Sequence, residues 1–158
     1  MFAALMTVGL MATAPAAFAD DPIKDVIDRE VPALKNGTRI ALSEVERSIL
    51  SACERRKFKC SVESPGLINA RWQRGKHSFD VTIPYSEDLY SIRYKDSVRM
   101  DYNPAKQRID DAYNEYIDGL AEHIEADFEN VLERMKRAQK NAQNQTRKAQ
   151  RVNPRTAV

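Results

Sequence analysis

The chain has 158 residues, 42% of them hydrophobic and 30% charged, with 25 Lys and Arg against 23 Asp and Glu. That length supports one ordinary domain. The balance of +2 excludes a uniformly basic nucleic-acid binder, and two cysteines exclude both a disulfide-dense scaffold and a four-thiolate zinc site.

Residues 1–19 carry no charged side chain. Their apolar stretch ends in Ala17-Phe18-Ala19, a small-x-small pattern that suits signal peptidase, and Asp20 and Asp21 follow at once. The segment reads as a cleaved signal peptide and is too short to cross ~30 Å of hydrocarbon. It has no Lys or Arg ahead of its apolar core and no lipidation cysteine. No membrane span is expected in the mature chain. Export would place Cys53 and Cys60 in an oxidising compartment, where an intrachain disulfide is the natural reading; two buried free thiols are the alternative.

Residues 20–42 hold Pro22, Pro32 and an Asn36-Gly37 turn signal. They read as an N-terminal arm, with a short helical stretch around 23–31. Ser43 and Glu46 have capping-box spacing, and Val45, Ile49, Ala52 and Cys53 recur at helical spacing, so a helix is expected to about Arg56. The period then changes to two. Phe58, Cys60 and Val62 alternate with polar residues, as do Ile68, Ala70 and Trp72, then Phe79, Val81 and Ile83, then Tyr90, Ile92 and Tyr94. Turn signals at Ser64-Pro65-Gly66, Arg74-Gly75 and 86–88 separate four strands, which implies an antiparallel meander.

Pro104 is expected to open a second helix. Its stripe is Ile109, Tyr113, Tyr116, Ile117, Leu120 and Ile124, continued by Phe128, Val131, Leu132 and Met135 to about residue 140. Gly119 inside it should weaken the helix by about 1 kcal/mol relative to Ala. The expected fold is α+β, with order α-β-β-β-β-α over 43–135 and both helices packed on one sheet face.

Residues 134–158 contain Arg134, Lys136, Arg137, Lys140, Arg147, Lys148, Arg151 and Arg155 and no acid, a charge of +8. Residues 20–133 carry −6. The near-neutral total conceals a dipolar chain. Residues 136–158 read as a basic tail, a frayed helix passing into disorder.

Several segments carry a family resemblance. These are Gly66-Leu67-Ile68-Asn69-Ala70, Lys76-His77 leading into Val81-Thr82-Ile83-Pro84-Tyr85, and Tyr90-Ser91-Ile92-Arg93-Tyr94-Lys95-Asp96-Ser97. Met100, Tyr102, Ile109, Tyr113-Asn114, Ile117 and Leu120 complete the pattern. In order and spacing, residues 43–125 resemble a family of small uncharacterised exported proteins of Gram-negative bacteria, many of them classed as lipoproteins. The resemblance implies an envelope location and a small α+β domain. It implies no activity, and this chain departs from it in lacking the lipidation cysteine.

No catalytic residues, metal site or cofactor are expected. His77 and His123 are isolated, no nucleophile elbow or glycine-rich phosphate loop occurs, and no spacing suits metal ligation. Two features invite partners instead. Tyr85, Tyr90, Tyr94 and Tyr102 either line core and rim or form an aromatic patch for a protein partner, reached through the open sheet face or an edge strand. The basic tail is either a solvated extension or a surface for anionic lipid, lipopolysaccharide or peptidoglycan. Nucleic acid is not an expected partner of an exported chain. The function expected is a non-enzymatic periplasmic module that binds another envelope component, an envelope protein first. The alternatives are a subunit of a large motility or secretion machine that orders on assembly, and a small-ligand-binding domain with a pocket near His77.

Overall fold

The computed structural model of the protein describes residues 20–152. The expected signal peptide at 1–19, and Arg155 of the tail, lie outside them. The elements run β1 (Asp20–Pro22), β2 (Val26–Glu30), α1 (Leu42–Arg55), β3 (Lys59–Ser64), β4 (Leu67–Arg74), β5 (His77–Pro84), β6 (Leu89–Val98), β7 (Arg108–Asp110) and α2 (Asp111–Val152).

The fold is α+β. Strands β3 to β6 form the expected antiparallel meander, but the sheet has five strands, in order β2-β6-β5-β4-β3. The fifth comes from the arm. Val26 pairs with Ile92 and Glu30 with Leu89, so residues 26–30 form an edge strand rather than a helical turn. Side chains fasten that strand as well as backbone. Ser91 Oγ accepts from the Asp28 amide at 2.9 Å, and Asp25 accepts from the Tyr94 amide at 2.9 Å. Val26 and Ile27 are β-branched, which suits a strand. The pairing that selects it lies 59 to 66 residues away, where local periodicity cannot report it.

The alternation expected of the strands is the alternation observed. Ile68, Ala70, Trp72, Phe79, Val81, Ile83, Tyr90 and Ile92 are all buried on one face. A shift of register between Asp80 and Val81 opposite β6 keeps Tyr94 and Ser97 on that face. Val62 is the exception at 43% exposure, because β3 is an edge strand.

Both helices cover this face. Val45, Ile49, Ala52 and Cys53 of α1, and Tyr113, Ile117, Leu120, Ile124 and Phe128 of α2, join the same core. Trp72 lies against Tyr116 with ring centroids 4.1 Å apart, Phe79 meets Tyr113 edge-on at 4.9 Å, and Tyr90 meets Phe128 at 5.7 Å. Edge-to-face pairs of this kind add to the simple burial of ring area.

Three helix boundaries differ from expectation. α1 has no capping box. Ala41 is its N-cap, without a side-chain bond, while Glu87 from the β5–β6 turn accepts from the Leu42 amide at 3.3 Å and Glu46 accepts from the Tyr85 hydroxyl. α2 does not begin at Pro104. Asn103 Oδ1 accepts from the Lys106 amide in a tight turn, Asn103 pairs with Arg108, and Ile109 belongs to β7, which pairs with β1. Asp110 then caps α2 by accepting from the Ala112 amide at 3.0 Å. Finally, α2 runs on to Val152, so residues 136–152 are helical and do not pass into disorder. Gln, Lys, Arg and Ala dominate that stretch, and each is a strong helix former.

Cys53 and Cys60 form a disulfide with a Cα–Cα distance of 6.2 Å. It ties the last turn of α1 to edge strand β3. Phe58, buried between them in the chain, packs edge-on against Phe79 at 5.8 Å.

Candidate functional site

The part of α2 that continues past the core is the most exposed regular element of the protein. Its last core contacts are Val131, Leu132 and the half-buried Met135; every residue from 136 to 151 is exposed. At 1.5 Å per residue those 16 residues project about 24 Å.

The projection has two faces. At 100° per residue, Lys136, Arg137, Lys140, Arg147, Lys148 and Arg151 fall within roughly 120° of the helix circumference, with Arg134 at the margin. Met135, Ala138, Ala142, Thr146 and Ala149 occupy roughly 80° on the opposite side, in phase with the core-facing residues of the same helix. The cations therefore point away from the side that α2 turns toward its own domain. Glu133 is the last acid in the chain.

Two of these cations are engaged. Arg134 reaches Glu44 of α1 at 3.1 Å, and Lys136 reaches Glu133 at 2.8 Å. The hydrogen bond between Lys136 and Glu133 lowers the carboxyl pKa and raises that of the ammonium. Arg137, Lys140, Arg147, Lys148 and Arg151 have no ion pair among the described residues. Five positive charges without an ion pair, on one side of one rod, form a strip that attracts extended anionic surfaces.

The tyrosines do not form a docking patch. Tyr85 and Tyr90 are 6% and 1% exposed, and Tyr90 donates to Glu125 at 3.1 Å. Tyr94 and Tyr102 are half-buried and lie against each other, with centroids 4.6 Å apart. All four pack in or against the core beneath the helices. Burial pushes the hydroxyl pKa of Tyr85, Tyr90 and Tyr94 upward; Glu46 reinforces this at Tyr85 and Glu125 at Tyr90. Tyr113, whose buried hydroxyl has no partner, is raised by burial and then by Asp25.

The outer sheet face is polar. Arg71 donates to Asp80 at 2.6 Å and to Ser78 at 3.0 Å, Asn69 donates to Glu63, and Lys95 donates to Asn69 at 3.3 Å. Cross-strand pairs of this kind satisfy one another and leave little apolar area for a partner. The groove between α1 and α2, about 370 Å³, is similarly self-neutralised by Glu44 with Arg47 and Arg134, and by Asp127 with Arg55.

His123 lies on α2 with Nδ1 2.8 Å from the Gly119 carbonyl. His77 is exposed at the start of β5, on the rim of a cleft of about 580 Å³ floored by Trp72 and Tyr116. Arg74, Lys76 and Arg99 share that rim. Their signal was present in the sequence as the run Arg74-Gly75-Lys76-His77, legible as a hairpin turn but not as a basic mouth, because Arg99 joins it only through strand pairing. No group of His, Cys, Asp and Glu suited to a metal ion occurs among the described residues. No described helix is long and apolar enough to cross a membrane.

Comparison with protein-family models, curated proteins and solved structures finds no match to this chain.

Proposed function

We propose that the protein is a non-enzymatic interaction module of the bacterial cell envelope that attaches to an anionic lipid surface through the cationic face of α2. The observation that carries this reading is the arrangement of Arg137, Lys140, Arg147, Lys148 and Arg151 on one side of an exposed helix, opposite a face of alanines. The signal-like segment at 1–19 and the disulfide agree with export to the periplasm, where phospholipid and lipopolysaccharide phosphates offer such a surface.

Each basic residue close to an anionic membrane contributes up to ~1 kcal/mol, so five of them suffice for reversible attachment. Trp and Phe are absent from 136–152, so the helix has no side chain suited to deep insertion. It would lie on the headgroups, held by charge. Mixed phosphatidylglycerol–phosphatidylethanolamine vesicles should sediment the full-length protein, and neutral vesicles should not. Raising NaCl to about 0.5 M, where screening acts within a few ångströms, should release it. Equal retention on neutral vesicles would refute the reading.

A protein partner has one observation in its favour. Strand β3 ends the sheet and exposes Val62, which suits addition of a strand from another envelope protein.

A further inference from the structure

We propose that the cleft at the β4–β5 end of the sheet binds a phosphate monoester carried on a ring. The cleft lies between the β4–β5 hairpin, the turn after β6 and the first turns of α2. Its volume of about 580 Å³ is in the range of small-molecule sites.

Topology assembles its mouth. Arg74 pairs across the hairpin with His77, and Ser78 pairs with Val98, so Arg99 emerges beside the same strand end. Gly75 at φ +60 closes the hairpin and places Lys76 at its tip. Arg74, Lys76 and Arg99 are exposed and have no ion pair among the described residues. This separates them from Arg29, Arg55 and Arg71, which are each paired with a carboxylate. Asp110 is the one acid lining the cleft, and its carboxylate already accepts from the Ala112 amide. The formal charge of the mouth is therefore +2, with His77 neutral. That complements a dianionic phosphate monoester better than a single carboxylate. Guanidinium groups also present paired donors that match phosphoryl oxygens.

The floor has a different chemistry. Half-buried Tyr116 supplies its ring surface, backed by Trp72 at a centroid distance of 4.1 Å and by Met100, both almost wholly buried. An aromatic floor below a cationic rim suits a ligand with two ends, a ring to stack and an anion to hold. Inorganic phosphate alone would use only the rim. The inference is independent of the α2 surface, whose cations line no part of this cleft.

Trp72 is the only tryptophan of the chain, so its fluorescence reports this site directly. Full-length protein should be titrated with glucose 6-phosphate, adenosine 5′-monophosphate, glucose, adenosine, inorganic phosphate and detergent-dispersed lipid A. The expected result is a saturable change with a ring phosphate, at concentrations at least tenfold lower than inorganic phosphate requires and with no saturation by the unphosphorylated compounds. Saturation by the soluble esters assigns the group to a free small molecule; saturation by lipid A alone assigns it to a lipid head, and both support the site. The double variant R74Q/R99Q should weaken the response at least tenfold with unchanged melting temperature, while Lys35→Gln should respond as the native protein does. Absence of saturation with every probe would overturn the proposal. So would an undiminished response in R74Q/R99Q, or equal affinity for inorganic phosphate.

Discussion

The guanidinium of Arg56 occupies the space that a side chain at residue 119 would need. A Cβ built on Gly119 would lie 2.6 Å from Arg56 Cζ, and Arg56 Nε is buried without a hydrogen-bond partner. Helix α2 thus carries a glycine in its interior where the end of α1 delivers a large cation. Ordinarily Gly→Ala in a helix interior stabilises by about 1 kcal/mol. Here Gly119→Ala should gain none of that, because Arg56 must be displaced. In an Arg56→Ala background the same replacement should stabilise by about 1 kcal/mol. Urea unfolding of the four proteins of this double-mutant cycle measures the difference, and additive effects would contradict the contact.

Gly119 also marks where sequence reading stops. Its effect on helix propensity was legible from residue type; its neighbour was not, since Arg56 is 63 residues away in the chain. The same division holds for the strands. Alternation in β3 to β6 is a local pattern and survives in the structure. β2 depends on Ile92 and Ser91 across the sheet, and nothing within residues 26–30 announces them. The tyrosines were visible as a cluster, but periodicity could not say that Tyr85 and Tyr90 would spend their hydroxyls on Glu46 and Glu125. The basic run of the tail was plain in composition, while its gathering on one side of α2 requires the helix to persist past residue 140.

The Cys53–Cys60 bridge closes a short loop between α1 and edge strand β3. In the chain-entropy model a loop of this size stabilises by roughly 2–3 kcal/mol. The native protein should have a mass lower by two hydrogens than the thiol form. Cys53→Ser/Cys60→Ser should unfold at lower denaturant by that amount while keeping its circular dichroism. Two free thiols in the native protein would contradict the bridge.

Trp72 is 7% exposed and packs on both Phe79 and Tyr116. Trp72→Ala should destabilise the domain by roughly 3–5 kcal/mol, as large core truncations do. Trp72→Phe should recover much of the loss. An alanine variant as stable as the native protein would place the ring outside the core.

Tyr85, Tyr90, Tyr94 and Tyr113 have hydroxyl pKa values raised by burial. In the unfolded chain they ionise near pH 10. The native state therefore holds them neutral, and the stability they contribute is fully present below about pH 10. It is lost as pH rises above that value, because the unfolded chain releases its protons first. Spectrophotometric titration should show these four of the six tyrosines ionising late and together with unfolding. Titration of all six near pH 10 with the fold intact would contradict their burial.

In the function proposed, the position of the charges on α2, and not their number, gives the protein its hold on an anionic surface. Vesicle binding should be compared between the native chain and a full-length variant of identical composition. In that variant Lys140 is exchanged with Gln139, Arg147 with Gln145 and Arg151 with Ala142, which spreads the cations around the helix. Affinity for phosphatidylglycerol vesicles should be at least tenfold weaker in the scattered variant, with equal helicity. Equal affinity of the two proteins would contradict it.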